Sequence, residues 1–202
     1  MPDVSAIPLQ RKEARESWPP CLVLTGFRAT GKSVLGRELA RRLGYGFLDT
    51  DEELCRRLGC EVAEYVALHG WQRFREQERR LLAELAGRRD LVIATGGGAI
   101  LHHPQWQGLR QGAVVVWLQA DAETIVRRMA TDRATAAQRP SLTGADPATE
   151  TRALLAERTP LYAAGSDLAV DTVGRSPGTL VEEILQRLAG RSLPDRPAVF
   201  RQ

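Results

Sequence analysis

Apolar residues along the chain fall into two rhythms that alternate from end to end. Short apolar, partly β-branched runs at residues 21–25, 46–49, 91–95, 113–118 and 167–171 predict strands. The run at 113–118, Ala-Val-Val-Val-Trp-Leu, is apolar throughout. That is the pattern of a parallel strand covered on both faces. Between the runs, apolar positions recur at helical spacing. Val34, Leu35, Leu39 and Leu43 form one stripe, opposite Arg37, Glu38, Arg41 and Arg42. Leu54, Leu58, Val62, Tyr65, Val66 and Leu68 supply the next, broken near Gly59 and Gly70. A long helix over 71–87 turns Trp71, Phe74, Leu81, Leu82 and Leu85 inward. Shorter helices follow over 104–110 and, capped by Asp121, through Met129. Another runs over 147–162. A last one is capped by Ser176, with Pro177 in its first turn and Leu180, Ile184 and Leu188 inward.

Strands that alternate with helices predict an α/β fold, a parallel sheet sandwiched between helical layers. Residues 130–147 break the rhythm; they are rich in Thr, Arg, Ala, Asp and Gly and predict a mobile loop. Residues 1–20 read as a flexible leader and residues 190–202 as a flexible tail, which leaves a single domain over 21–189.

Composition narrows the function. A net charge of +3 and 5% aromatic residues give no footprint for nucleic acid. No long apolar run predicts a membrane span or a secretory signal. Cys21, Cys55 and Cys60 are an odd count without metal-ligand spacing, so they read as reduced thiols and predict a cytoplasmic protein. Cys55 and Cys60 alone could form a redox pair.

One stretch carries the chemistry. Gly26-Phe27-Arg28-Ala29-Thr30-Gly31-Lys32-Ser33 fits G-x-x-x-x-G-K-[ST], and it sits between a predicted strand and a predicted helix. In that context glycines let backbone N–H groups turn toward a phosphate, and the helix N-terminus adds its positive end. Lys32 would reach the β- and γ-phosphates and the Ser33 hydroxyl would ligate Mg²⁺. The chain has 26 Arg but only two Lys, so a lysine here answers a need for a compact ammonium. The Ala29 position tolerates alanine if its φ is negative.

Two further groups belong at the carboxyl ends of strands, where ligands of such sheets sit. Asp49 and Asp51 straddle Thr50; one could serve the Mg²⁺ shell and the other a substrate hydroxyl, or either could cap the next helix. Gly96-Gly97-Gly98 uses three glycines where a turn needs one or two, which predicts close approach of a ligand to the backbone. His69, His102 and His103 show no partner pattern and read as surface or packing residues.

In order along the chain, these motifs resemble the shikimate kinase family. The resemblance spans about residues 20–189. It rests on G-F-R-A-T-G-K-S, F-L-D-T-D, F-R-x-x-E (Phe74, Arg75, Glu78), G-G-G-A, R-P-S-L from Arg139, E-R-T-P-L-Y (Glu157 to Tyr162) and R-S-P from Arg175. It implies a three-layer P-loop kinase fold of nucleoside-monophosphate-kinase type with a five-stranded parallel sheet. It also implies transfer of phosphate from ATP to the 3-hydroxyl of shikimate, with Mg²⁺, by a monomer. By resemblance Lys32, Asp51 and Arg139 are catalytic, and Asp51, Arg75, Gly97, Gly98 and Arg158 bind substrate. Arg28, Ala29, Thr30, Gly31, Lys32, Ser33, Val34, Arg128, Arg139 and Arg175 bind nucleotide, and Ser33 and Asp49 serve the metal. The loop over 130–147 corresponds to the family's lid. The segment between Arg128 and Arg139 is a few residues longer than usual, so Arg133 could stand in for Arg128 at the adenine, and Ser141 replaces a common Leu. Glu78, three residues after Arg75, could orient its guanidinium. A gluconate-type sugar-acid kinase and a ligand-binding module without turnover are the competing readings. A GTPase is disfavoured because no N-K-x-D motif is present.

Overall fold

The computed structural model describes residues 18–131 and 146–189. Residues 1–17, the tail from 190 and the loop over 132–145 lie outside the described residues, and Arg133, Arg139 and Ser141 with them. Residues 18–20, expected in the leader, are tied to the core. Trp18 packs on it, Tyr45 donates its hydroxyl to the Pro19 carbonyl at 3.0 Å, and the Asp90 N–H donates to the Pro20 carbonyl at 2.7 Å.

Five strands form one parallel sheet in the order β2-β3-β1-β4-β5. They are β1 (Cys21–Thr25), β2 (Gly46–Asp49), β3 (Leu91–Ala94), β4 (Val114–Gln119) and β5 (Leu168–Asp171). The helices are α1 (Lys32–Leu43), α2 (Thr50–Leu58), α3 (Val62–Leu85), α4 (His103–Gln111), α5 (Ala122–Thr131), α6 (Pro147–Gly165) and α7 (Pro177–Leu188), with a 3₁₀ turn at Ala99–Leu101. Alternation along β1 explains the three layers. Leu22 and Leu24 face Leu35 and Leu39 of α1 and Ile184 of α7, whereas Cys21 and Val23 face Phe74 and Leu81 of α3 and Trp106 of α4. Each such Leu, Ile or Phe buried contributes about 1.5–3 kcal/mol.

Strand order places the site. The chain leaves β1 for β2 on one side, returns through β3, and crosses to β4 on the other. The carboxyl end of β1 therefore lies where the winding reverses, the ligand crevice of this class of sheet.

Two apolar positions depart from expectation. Val34 is 57% exposed and Leu68 71% exposed. Val34 stands in the first turn of α1 beside an open cleft, where periodicity continues but the neighbouring layer does not. Leu68 precedes the break at Gly70 (φ 79°, ψ 162°), which ends its helical face before it can reach the core. The three thiols are free.

Candidate active site

The turn after β1 is shaped by two glycines. Gly26 has φ 139° and Gly31 φ 92°, and a side chain at Gly26 would lie 2.4 Å from the Leu118 carbonyl oxygen. Ala29 is left-handed as well, at φ 59°, so the negative φ under which alanine would be tolerated there without strain is not met. The Thr30 hydroxyl is buried and donates to the Phe27 carbonyl at 2.9 Å, and Lys32 Nζ donates to the same carbonyl at 2.6 Å. Gly31 caps α1, whose first residues are Lys32 and Ser33. The Lys32 ammonium and the N-terminus of α1 thus both lie at this turn, where a phosphate would be bound.

The two aspartates are placed differently. Asp49 caps α2: its Oδ1 accepts from the N–H groups of Asp51 at 2.9 Å and Glu52 at 3.4 Å. Its Oδ2 accepts from the Ser33 hydroxyl at 2.5 Å. A hydroxyl and a carboxylate oxygen held together at a phosphate loop form a hard donor set, which suits Mg²⁺ completed by phosphate oxygens and water. Asp51, the second residue of α2, lines the same cleft as Lys32 and Ser33, a cavity of about 430 Å³.

Next to this cleft lies a narrower pocket lined by Arg28, Trp71, Arg75, Gly97, Gly98 and Arg158, among others. Arg28 and Gly97 border both spaces. Arg158 and Tyr162, four residues apart, share one face of α6 and both donate to the Gly97 carbonyl, at 3.3 and 2.6 Å. Arg75 Nη1 donates to Glu78 Oε2 at 2.5 Å, and its guanidinium lies 5.1 Å from the Trp71 ring centre. Burial pulls the Arg28 guanidinium below its ordinary pKa; Glu150 pushes it back up and Arg158 adds to the lowering.

The glycine triplet answers three neighbours. A side chain at Gly96 would meet Asp51 Oδ1 at 2.6 Å, one at Gly97 the Gly26 carbonyl oxygen at 3.4 Å, and one at Gly98 Arg75 Nη1 at 2.5 Å. None of the three has positive φ, so what they supply is space.

On the far side of the phosphate loop, Arg128, Arg175, Pro177 and Val34 line a third cavity with Gly31. Arg128 is anchored rather than free to swing. It donates to the Ala29 carbonyl at 3.2 Å, the Thr172 hydroxyl at 3.0 Å and the Thr172 carbonyl at 2.7 Å. Arg175 pairs with Glu183 at 2.5 Å.

Residues 28–189 match the family model for shikimate kinase. The chain belongs to the shikimate kinase family. The shikimate kinase of Moorella thermoacetica is 43% identical over 170 residues, 84% of this chain and 95% of that protein. The shikimate kinase of Acinetobacter baumannii, solved in complex with shikimate, superposes with a TM-score of 0.79 at 35% identity, over 87% of this chain and 95% of that one. A gluconokinase from Sinorhizobium meliloti reaches a TM-score of 0.50 at 19% identity over 85% of this chain and 94% of that one, which reflects the shared fold alone. Family membership thus favours shikimate over gluconate.

Pattern reading missed His102 and Trp71 as parts of the site. His102 is buried, and its Nε2 lies 3.1 Å from Glu78 Oε2, the oxygen that holds Arg75. No sequence signal pairs a residue on α3 with one 24 positions later; only the fold does. Trp71 was legible as apolar, but not as half-buried at a pocket wall.

Proposed function

We propose that this shikimate kinase family member transfers the γ-phosphoryl group of ATP to the 3-hydroxyl of shikimate. One observation carries the reading: Arg75 and Arg158 converge on the Gly97–Gly98 floor of a pocket that opens directly onto the Lys32–Asp51 cleft. Two guanidiniums suit a planar carboxylate, which they would bind by charge-assisted hydrogen bonds. With the carboxylate held there, the ring's hydroxyls extend toward Asp51.

Phosphoryl transfer asks chiefly for positioning and charge neutralisation. Asp51 would hold the acceptor hydroxyl and take its proton as the oxygen bonds to the γ-phosphorus and the bond to the ADP oxygen breaks. Lys32 would neutralise charge on the phosphates. Ser33 directly, and Asp49 through water, would hold Mg²⁺, which supplies further neutralisation of phosphate charge when bound. Val34, Arg128 and Arg175 would border the adenine, beside the loop backbone from Arg28 to Gly31. A monomer working in the cytoplasm fits this reading; among the described residues no helix is long and apolar enough to cross a membrane.

The test is coupled ADP release with Mg·ATP and either shikimate or gluconate. Turnover with shikimate, reduced about 10³-fold or more in Asp51→Asn with the fold intact, is the expected outcome. Turnover with gluconate alone would overturn it, as would shikimate binding without turnover.

A further inference from the structure

The pocket reading assigns the substrate carboxylate to Arg75, but a guanidinium on a four-bond stem is useful only if something holds it still. Glu78 does this from one turn along α3, through its Oε2 at 2.5 Å from Arg75 Nη1. A second group reaches the same oxygen. His102 Nε2 lies 3.1 Å from Glu78 Oε2. His102 and Glu78 are both 6% exposed. A carboxylate has only acceptors to offer, so the hydrogen between them is carried by Nε2.

The base of that histidine is firmly set. It follows the 3₁₀ turn that starts one residue after Gly98, and three backbone hydrogen bonds close the stretch: Ala99 N–H to Gly96 O, Leu101 N–H to Gly98 O and His102 N–H to Ala99 O, at 3.0, 3.0 and 3.1 Å. The Trp106 N–H donates to the His102 carbonyl at 2.8 Å, which joins the turn to α4. One rigid segment therefore makes the pocket floor and also reaches round behind the carboxylate that holds Arg75.

We propose that His102 is a positioning residue for acceptor binding: through Glu78 it ties the arginine of α3 to the glycine floor against which the substrate lies. The proposal rests on the shikimate kinase reading. A buried histidine that merely fills space would give none of the following kinetic signature. With His102 unable to donate, Glu78 Oε2 keeps one partner, its carboxylate regains rotation, and Arg75 loses its fixed orientation. The acceptor feels this and the nucleotide does not.

The experiment measures KM and kcat for both substrates in His102→Phe, His102→Gln and His102→Asn, with melting temperatures as the folding control. Gln places its amide nitrogen about where Nε2 lies, and Asn falls short of it. In His102→Phe the KM for shikimate is expected to rise about tenfold while that for ATP stays within about twofold, and His102→Gln restores shikimate KM to within about threefold of wild type. In an E78Q background, His102→Phe is expected to add less than about twofold, because its effect passes through Glu78. If His102→Phe does not fold, the contrast of Gln with Asn carries the comparison. Unchanged shikimate KM in folded His102→Phe or His102→Asn, equal rises for both substrates, failure of Gln to rescue, or full additivity with E78Q would each overturn the proposal. Wild-type turnover is the control: its absence overturns the functional reading, and this proposal with it.

Discussion

Ala29 shows what a single residue is asked to bear in this site. Its φ of 59° is left-handed, and its carbonyl accepts from Arg128. A left-handed L-residue costs about 1–2 kcal/mol. Replacing it with glycine removes that strain but frees the unfolded chain by about 0.4–1 kcal/mol. The strain is the larger effect, so Ala29→Gly is expected to stabilise the protein by about 0.5–1 kcal/mol and raise Tm by about 1–4 °C. A lowered Tm in a calorimetric scan would show that the neighbouring contacts had absorbed the strain. The residue scale is also where the sequence was least readable. The phosphate loop, Asp49, Asp51, Arg75 and Arg158 stand in motifs whose chemistry can be argued from residue types in order. His102 stands in none, because its partner Glu78 is local only in space. The left-handed φ of Ala29 was unreadable for a related reason: backbone conformation inside a loop is set by what the loop wraps around, here the Phe27 carbonyl that accepts from both Thr30 and Lys32.

Elements were legible where a stripe met a layer, and misread where it did not. The stripe of α1 is real at Leu35, Leu39 and Leu43 but overruns at Val34, and the Gly70 break was visible although the exposure of Leu68 beside it was not. Periodicity says which face is apolar, not how far the covering layer extends. The contact between α1 and β2 illustrates the energetic side. Gly36 lies over Phe47, and a side chain there would come within 2.5 Å of the Phe47 ring. The Phe47 ring is itself covered by the Arg37 guanidinium, 5.0 Å from its centre, so it has little freedom to yield. Gly36→Val is expected to cost about 1–3 kcal/mol through overpacking, despite the helix propensity gained over glycine. The consequence reaches the site, because α1 carries Ser33 and β2 carries Asp49, joined by a 2.5 Å hydrogen bond. Parting those elements is expected to raise the Mg²⁺ concentration needed for half-maximal turnover by about threefold or more in folded Gly36→Val. Lower stability with an unchanged Mg²⁺ requirement would mean that the Ser33–Asp49 pair adjusts independently of the packing beneath it.

At the scale of the whole molecule, alternation of elements foretold a parallel sheet, but the order β2-β3-β1-β4-β5 came only with the fold, since strand neighbours need not be sequence neighbours. That order sets the phosphate loop between two spaces. On one side Arg158 lies over the Phe27 ring at 5.8 Å and reaches the Gly97 carbonyl. On the other, Arg128 holds the Ala29 carbonyl and joins it to Thr172 beyond β5. Both arginines touch the loop, and the proposed function gives them to opposite substrates. Arg158→Lys loses the forked guanidinium but keeps the charge, and is expected to raise the KM for shikimate about tenfold or more with that for ATP within about twofold. Arg128→Ala is expected to do the reverse, raising the KM for ATP about fivefold or more through the loosened loop and leaving shikimate within about twofold. The double variant decides whether the loop is a rigid partition or a coupling element. If it is rigid, the two losses in kcat/KM, expressed as free energies, add to within about 0.5 kcal/mol, as for distant sites without shared partners. Rigidity is the expected result, because Lys32 and Thr30 both clamp the Phe27 carbonyl at the centre of the loop and Gly26 is wedged against Leu118. A deficit well beyond that sum would mean that each arginine holds the loop for the other, and that binding in one space prepares the second.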